Sequence, residues 1–95
     1  MATSQTVEIC NRRGLHARAS AKFVAMAESF DAEILVSSIQ DGPNGDKVCG
    51  KSIMGLMMLA AAIGHSINIE ATGKQSGEAV DALVDLVNRR FEEDA

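Results

Sequence analysis

The alternation of apolar and polar positions predicts four short strands along the chain. The turn-forming run Asp41–Asp46 separates the second strand from the third, so these two are expected to form a hairpin. A polar break that ends in Gly14 closes the first strand. The strands include Val7 and Ile9 in the first, residues 32–37 in the second, 47–49 in the third and 66–71 in the fourth.

Three further segments have the three-to-four-residue apolar spacing of helices. The first runs from His16 to Phe30 and is rich in alanine, which favours helix. Ser52 stands where a second helix should have its N-cap, and that helix is expected to stop near Gly64. The third carries an apolar stripe made of Val80, Leu83, Val84, Val87 and Phe91.

The resulting order is βαββαβα, which predicts an α+β fold with helices packed on one face of a sheet. The 95 residues suit one domain, spanning 1–95. Neither a linker nor an internal repeat interrupts this pattern. The acidic segment Glu92–Asp94 is interpreted as a solvated tail.

Composition narrows the function classes. The net charge is −4 and aromatic residues make up 3% of the chain, which disfavours a nucleic-acid-binding domain. Cys10 and Cys49 are expected to be reduced thiols, and no set of metal ligands is evident. Without a visible signal peptide or a spanning apolar run, the expectation is a cytoplasmic protein with no membrane insertion.

His16 is the leading candidate for chemistry because it lies at a predicted helix start among Arg12, Arg13, Arg18 and Lys22. A helix N-terminus offers free backbone N–H groups and partial positive charge, which together bind anions such as phosphate. The same field favours a neutral imidazole, which is a nucleophile. The planar guanidinium of Arg18 suits phosphate oxygens. These residues predict a site that accepts and releases a phosphoryl group.

The residues taken alone leave other interpretations open. A histidine near a helix start is often a capping or surface residue. A metal site would need ligand partners that the sequence does not offer. A small RNA-binding α+β domain would need aromatic residues on its sheet and a basic face.

Two separate segments resemble the HPr family, the histidine phosphocarriers of the bacterial phosphotransferase system. Residues 14–23 are similar to its active-site signature, and residues 50–57 to its regulatory-serine segment. The resemblance implies an open-faced β-sandwich, with a four-stranded antiparallel sheet covered on one face by three helices. It also implies a carrier without independent turnover and without a cofactor. Enzyme I would phosphorylate Nδ1 of His16, Arg18 would assist, and an enzyme IIA-type protein would be the acceptor.

The same resemblance implies regulation at Ser52 by an HPr kinase/phosphorylase. A phosphate there would add negative charge to the surface that meets enzyme I and weaken docking. The alternative function is a regulatory binding module controlled by Ser52 without a carrier role. A carrier that docks two partners in turn is expected to be a monomer. The partner-binding surface is expected to comprise Arg12, Arg13, Ile53, Met54 and Met57.

The sequence departs from the family pattern at one position of the signature. Ala19 stands where the family usually has proline, which preorganises a first helical turn. Alanine still favours helix, so a working site with a slightly looser entry is expected. Residues 30–35 resemble the nitrogen-related branch of the family rather than the sugar-transport branch.

Overall fold

The computed structural model describes residues 2–41 and 45–93, and the elements follow the predicted order βαββαβα. The turn predicted at Asp41–Asp46 includes residues 42–44, which lie outside the described residues. Within the described part, no helix combines the length and apolar character needed to cross a membrane. The bounds are β1 Ala2–Glu8, α1 Ala17–Glu28, β2 Glu33–Ser38, β3 Lys47–Cys49, α2 Ile53–Met58, β4 Ser66–Thr72 and α3 Ser76–Asn88.

The four strands form one antiparallel sheet in the order β1-β4-β2-β3. The predicted hairpin is confirmed by the pairing of β2 with β3, in which Val36 lies opposite Val48. On β4, Ile67 and Ile69 are buried while Asn68 between them is not, so the sheet has one core face. This arrangement is the predicted α+β architecture, with an open face on the other side of the sheet.

The hydrophobic core lies between the sheet and the helices. Phe23 of α1, Ile69 of β4 and Leu83 of α3 are all fully buried there. Ala19 and Ala27 are also fully buried on α1, where their small side chains allow the helix backbone to approach its neighbours closely. Burial of this face holds α1 against the rest of the domain and so fixes the position of its N-terminus.

Helix α2 ends earlier than the sequence predicts. Helix α2 ends at Met58 rather than near Gly64, and Ala60 after it has a left-handed backbone with φ 52°. The expected continuation of the helix is therefore wrong. The apolar residues after Met58 form a loop in which Ala61 is buried, so their hydrophobicity serves tertiary packing and not a longer helix.

Candidate functional site

His16 is the N-cap residue of α1, one position before the first helical residue. Its backbone is extended, with φ −76° and ψ −178°. The backbone N–H of Arg18 donates to Nδ1 of its imidazole at 3.3 Å. Since a ring nitrogen that accepts a hydrogen bond carries a lone pair, this contact favours the neutral tautomer with its proton on Nε2.

The loop before His16 is fixed by glycine and by buried polar contacts. Gly14 has φ +65°, and a Cβ on it would overlap the carbonyl oxygen of Ala61. That same carbonyl accepts the N–H of Leu15 at 3.0 Å. Asn11 is fully buried and donates through Nδ2 to the Gly14 carbonyl at 2.9 Å. The loop after α2 thus supports the loop that carries the histidine.

The chain after α3 turns back toward the start of α1. Arg90, Phe91 and Glu92 all have left-handed backbones, with φ values of 58°, 53° and 62°. Three such residues in a row form a tight turn, in which the N–H groups of Glu92 and Glu93 donate to the carbonyls of Arg89 and Arg90. Phe91 is fully buried in the core. Lys22 on α1 donates through Nζ to the carbonyl of Phe91 at 2.8 Å, which ties this segment to the first helix.

The returning segment places Glu93 against His16. Oε2 of Glu93 contacts Nε2 of the imidazole, while its Oε1 accepts a hydrogen bond from Nδ2 of Asn11 at 2.9 Å. The side chain of Glu93 is 13% exposed. The interpretation of Glu92–Asp94 as a solvated tail is therefore wrong at Glu93, although the Glu92 side chain is 59% exposed. Asp94 lies outside the described residues.

Opposing effects act on the pKa of Glu93. Burial raises it, but hydrogen bonds from Asn11 and His16, the positive charge that the imidazole of His16 has when it is protonated, and the charge of Arg13 lower it more. The pKa therefore lies below the ordinary value of 4.5. A carboxylate is thus held in its charged form beside the distal nitrogen of the histidine.

Sequence reasoning missed Glu93 because Phe91 continues the spacing of the α3 stripe. Val87 and Phe91 are four residues apart, as on one face of a helix, so the spacing predicts a helix that continues through Phe91. Asn88 offered the local signal for its end, since asparagine is common near helix C-termini. The structure ends α3 at that residue.

The arginines predicted around His16 remain available to a ligand. Arg12, Arg13 and Arg18 are exposed, and within the described ranges none of them forms an ion pair with a carboxylate. Lys22 differs from them, because it is engaged with the chain after α3. The result is a set of exposed positive charges on residues close in sequence to one partly exposed imidazole, which favours a phosphoryl group.

Ser52 is the N-cap of α2, as predicted, and its Oγ accepts the N–H of Gly55 at 3.0 Å. The next residues form an apolar surface: Ile53 is 41% exposed, Met54 75% and Met57 43%. Leu56 on the same helix is fully buried, so α2 is anchored by one face. Met58 is also exposed and extends the apolar surface beyond the residues predicted for it.

In the described part of the chain, no three histidine, cysteine or carboxylate side chains are grouped as a metal site would need. The described site consists of an imidazole whose Nδ1 accepts a hydrogen bond, exposed arginine side chains and the backbone N–H of Arg18 at a helix start. This donor set suits a phosphoryl group bound through nitrogen and balanced by positive charge.

Comparison with known proteins agrees with this chemistry. The family model for the HPr component phosphorylation site of the phosphotransferase system matches residues 3–89. The phosphocarrier protein HPr of Neisseria meningitidis serogroup A is 51% identical over 94% of both chains. The phosphocarrier protein NPr of Escherichia coli K12 is 40% identical over 99% of this chain and 100% of that protein.

Solved structures show the same fold. The crystal structure of HPr-C-His from Thermoanaerobacter tengcongensis matches with a TM-score of 0.87 and 40% identity. The match covers 98% of this chain and 99% of that one. With the family model matched over nearly its whole length, the chain belongs to the HPr family of phosphocarrier proteins of the bacterial phosphotransferase system.

Proposed function

We propose that this chain accepts a phosphoryl group from phospho-enzyme I on Nδ1 of His16 and passes it to an enzyme IIA-type acceptor. The observation that carries the proposal is the position of His16 as N-cap of α1, with Nδ1 accepting a hydrogen bond from the N–H of Arg18. This contact supports a lone pair on Nδ1 at the positive end of a 12-residue helix.

Transfer to the carrier forms one bond and breaks another. The lone pair of Nδ1 attacks phosphorus, and the bond between phosphorus and the donor atom breaks, its electron pair leaving with the donor. The proton on Nε2 stays in place, so the phosphorylated ring carries positive charge and remains a good leaving group. The N–H of Arg18 then faces a phosphoryl oxygen, and the Arg18 guanidinium neutralises the others. Delivery to the acceptor is the reverse process.

Both partners would dock on the surface around His16 and α2. Exposed Ile53, Met54 and Met57 provide an apolar area, and methionine adapts to differently shaped partners. Arg12 and Arg13 add positive charge that would steer acidic partners and speed association. A single domain acting as a monomer leaves this surface free for each partner in turn.

Phosphorylation of Ser52 by an HPr kinase/phosphorylase would regulate this docking. Its Oγ lies at the start of α2, so added charge would be tolerated by the helix but would border the apolar surface. Incubation with the kinase and ATP should add one acid-stable phosphate to the wild type and none to Ser52→Ala. An unmodified wild type beside a kinase shown to be active would overturn the regulatory role.

Intact-mass analysis after incubation with phosphoenolpyruvate and enzyme I tests the carrier role. The wild type should gain one acid-labile phosphate, and His16→Ala should gain none. His65→Ala is the matched control, because it removes the other histidine and should be phosphorylated like the wild type. A wild type without phosphate, beside an active enzyme I, would overturn the carrier role and favour a binding module controlled through Ser52.

A further inference from the structure

The Glu93 carboxylate contacts two side chains that lie far from it in the sequence. Its two oxygens face different partners: Oε1 meets Asn11, and Oε2 meets Nε2 of His16. Asn11 is fully buried and is itself bonded to the carbonyl of Gly14 in the histidine loop. The carboxylate therefore bridges the loop before His16 and the imidazole ring.

The backbone around Glu93 restricts its freedom to move away. Phe91 is buried two residues earlier, and Lys22 bonds to its carbonyl. The N–H of Glu93 also donates to the carbonyl of Arg90 at 2.9 Å. Glu92, the acidic neighbour, pairs instead with Arg89 at 3.2 Å and with Lys22 at 3.9 Å. Two adjacent glutamates thus differ in whether they reach the histidine.

We propose that Glu93 is a positioning residue for phosphoryl transfer, which holds the proton of His16 on Nε2 and presents the lone pair of Nδ1. The inference rests on the proposed carrier function of His16. Two contacts at opposite ends of the ring favour the same tautomer: Nε2 donates to Glu93, and Nδ1 accepts from Arg18. A carboxylate that orients a histidine in this way also stabilises the charged ring that forms on reaction.

The role of the carboxylate changes through the reaction while no proton moves. Before transfer it fixes the tautomer of a neutral ring. When the bond from Nδ1 to phosphorus forms and the donor bond breaks, the ring retains its Nε2 proton and becomes positive. The carboxylate then faces a cation across the same hydrogen bond, so its interaction with the ring is stronger after transfer than before it.

Single-turnover transfer from phospho-enzyme I to the carrier tests this role by rapid quench at a series of carrier concentrations. Glu93→Ala should lower the limiting rate constant about tenfold, as loss of an orienting partner does elsewhere, with little change in the concentration for half-maximal rate. Glu93→Asp should recover part of the rate. Glu92→Ala is the matched control and should react like the wild type, since it removes the same charge one residue away.

Nitrogen-15 spectra of the unphosphorylated proteins report which ring nitrogen of His16 carries the proton. A merely structural role of Glu93 would not change this result. The wild type and Glu92→Ala should show a protonated Nε2 on His16, and Glu93→Ala should show a mixture of tautomers. Equal limiting rates and equal spectra for the two alanine variants would overturn the positioning role while leaving the carrier role intact. A wild type that accepts no phosphate overturns both.

Discussion

Helices α1 and α2 both begin at a residue whose side chain accepts a backbone hydrogen bond, but their surroundings differ. His16 caps α1 directly after the loop that contains Gly14; it contacts Glu93, and exposed arginines are close to it in sequence. Ser52 caps α2, a helix of six residues, beside exposed apolar side chains. The N-terminus of α1 is supported by the loop before it and by Glu93, whereas the N-terminus of α2 borders an exposed surface.

The comparison separates two uses of one local geometry. A helix N-terminus favours anions at both sites, but a stored phosphoryl group also needs a nucleophile held in one protonation state. Under the proposed carrier function, that requirement accounts for the contact that reaches His16 from Glu93, a distant part of the chain. Under the proposed regulation, Ser52 needs only to be reached by a kinase; it is partly exposed, and its Oγ makes one capping bond, to the N–H of Gly55.

The largest expected effect comes from removing the support of the first terminus with Gly14→Ala. The added Cβ would overlap the Ala61 carbonyl and also strain a left-handed backbone, so the free energy of unfolding should fall by about 2–4 kcal/mol. Urea unfolding measures this. Gly64→Ala is the control, because Gly64 has φ +88° with open space around it and should lose about 1–2 kcal/mol. Equal losses would mean that the contact with Ala61 is unimportant.

The charges near the two helix starts should differ in their effect on phosphoryl transfer. Arg18→Gln should slow phosphorylation of His16 by about tenfold, because a charge-assisted pair with the phosphoryl oxygens is lost. Lys51→Gln, which removes a charge beside Ser52, should change the rate less than about twofold. Quenched-flow measurement with phospho-enzyme I compares them. Similar rates for the two variants would argue against a specific role of Arg18.

The capping bond of the second terminus should have a moderate effect on stability. Ser52→Ala should lower the free energy of unfolding by about 1 kcal/mol, because the N–H of Gly55 loses its acceptor. Ser52→Asp keeps an acceptor and should be as stable as the wild type. It should also bind enzyme I more weakly than the wild type does, and this difference in affinity should be larger at low salt than at high salt. Titration calorimetry at two ionic strengths checks the binding, and chemical denaturation checks the stability.

The smallest expected effect is a pH dependence confined to the first terminus. The folded-state pKa of Glu93 lies below 4.5, so its charged contacts add stability above that pH and lose it as pH falls through the folded-state pKa. Wild type should therefore exceed Glu93→Gln in unfolding free energy at neutral pH, and the difference should shrink in acid. Denaturation curves at several pH values measure it. A constant difference would exclude the carboxylate charge as its source.

The fold followed from the sequence because its elements have strong local periods. The alternation on β4 and the apolar stripe of α3 each lie within a short segment, so they indicate a strand and a helix without knowledge of the rest. The same holds for the basic residues around His16, which are close in sequence. Ser52 as a cap also depends on nearby residues alone.

The contacts that complete the site could not be predicted from such local patterns. Glu93 reaches His16 from 77 residues away through three consecutive left-handed residues, and ordinary side chains seldom adopt that backbone. The apolar residues of the loop that carries Ala61 keep the helical spacing, so the sequence predicts helix there. In both cases tertiary packing overrides local preference.

Phe91 is fully buried although it follows the last helix. Segments outside helices and strands usually open and close freely, so their amide hydrogens exchange quickly with solvent. Here, release of Glu93 from the imidazole by unwinding of this segment would expose the Phe91 ring, at a cost of about 1.5–3 kcal/mol. The amides of Glu92 and Glu93, which donate to the carbonyls of Arg89 and Arg90, should therefore exchange slowly for residues that lie beyond α3. The lifetime of the histidine site is thereby linked to that of the core.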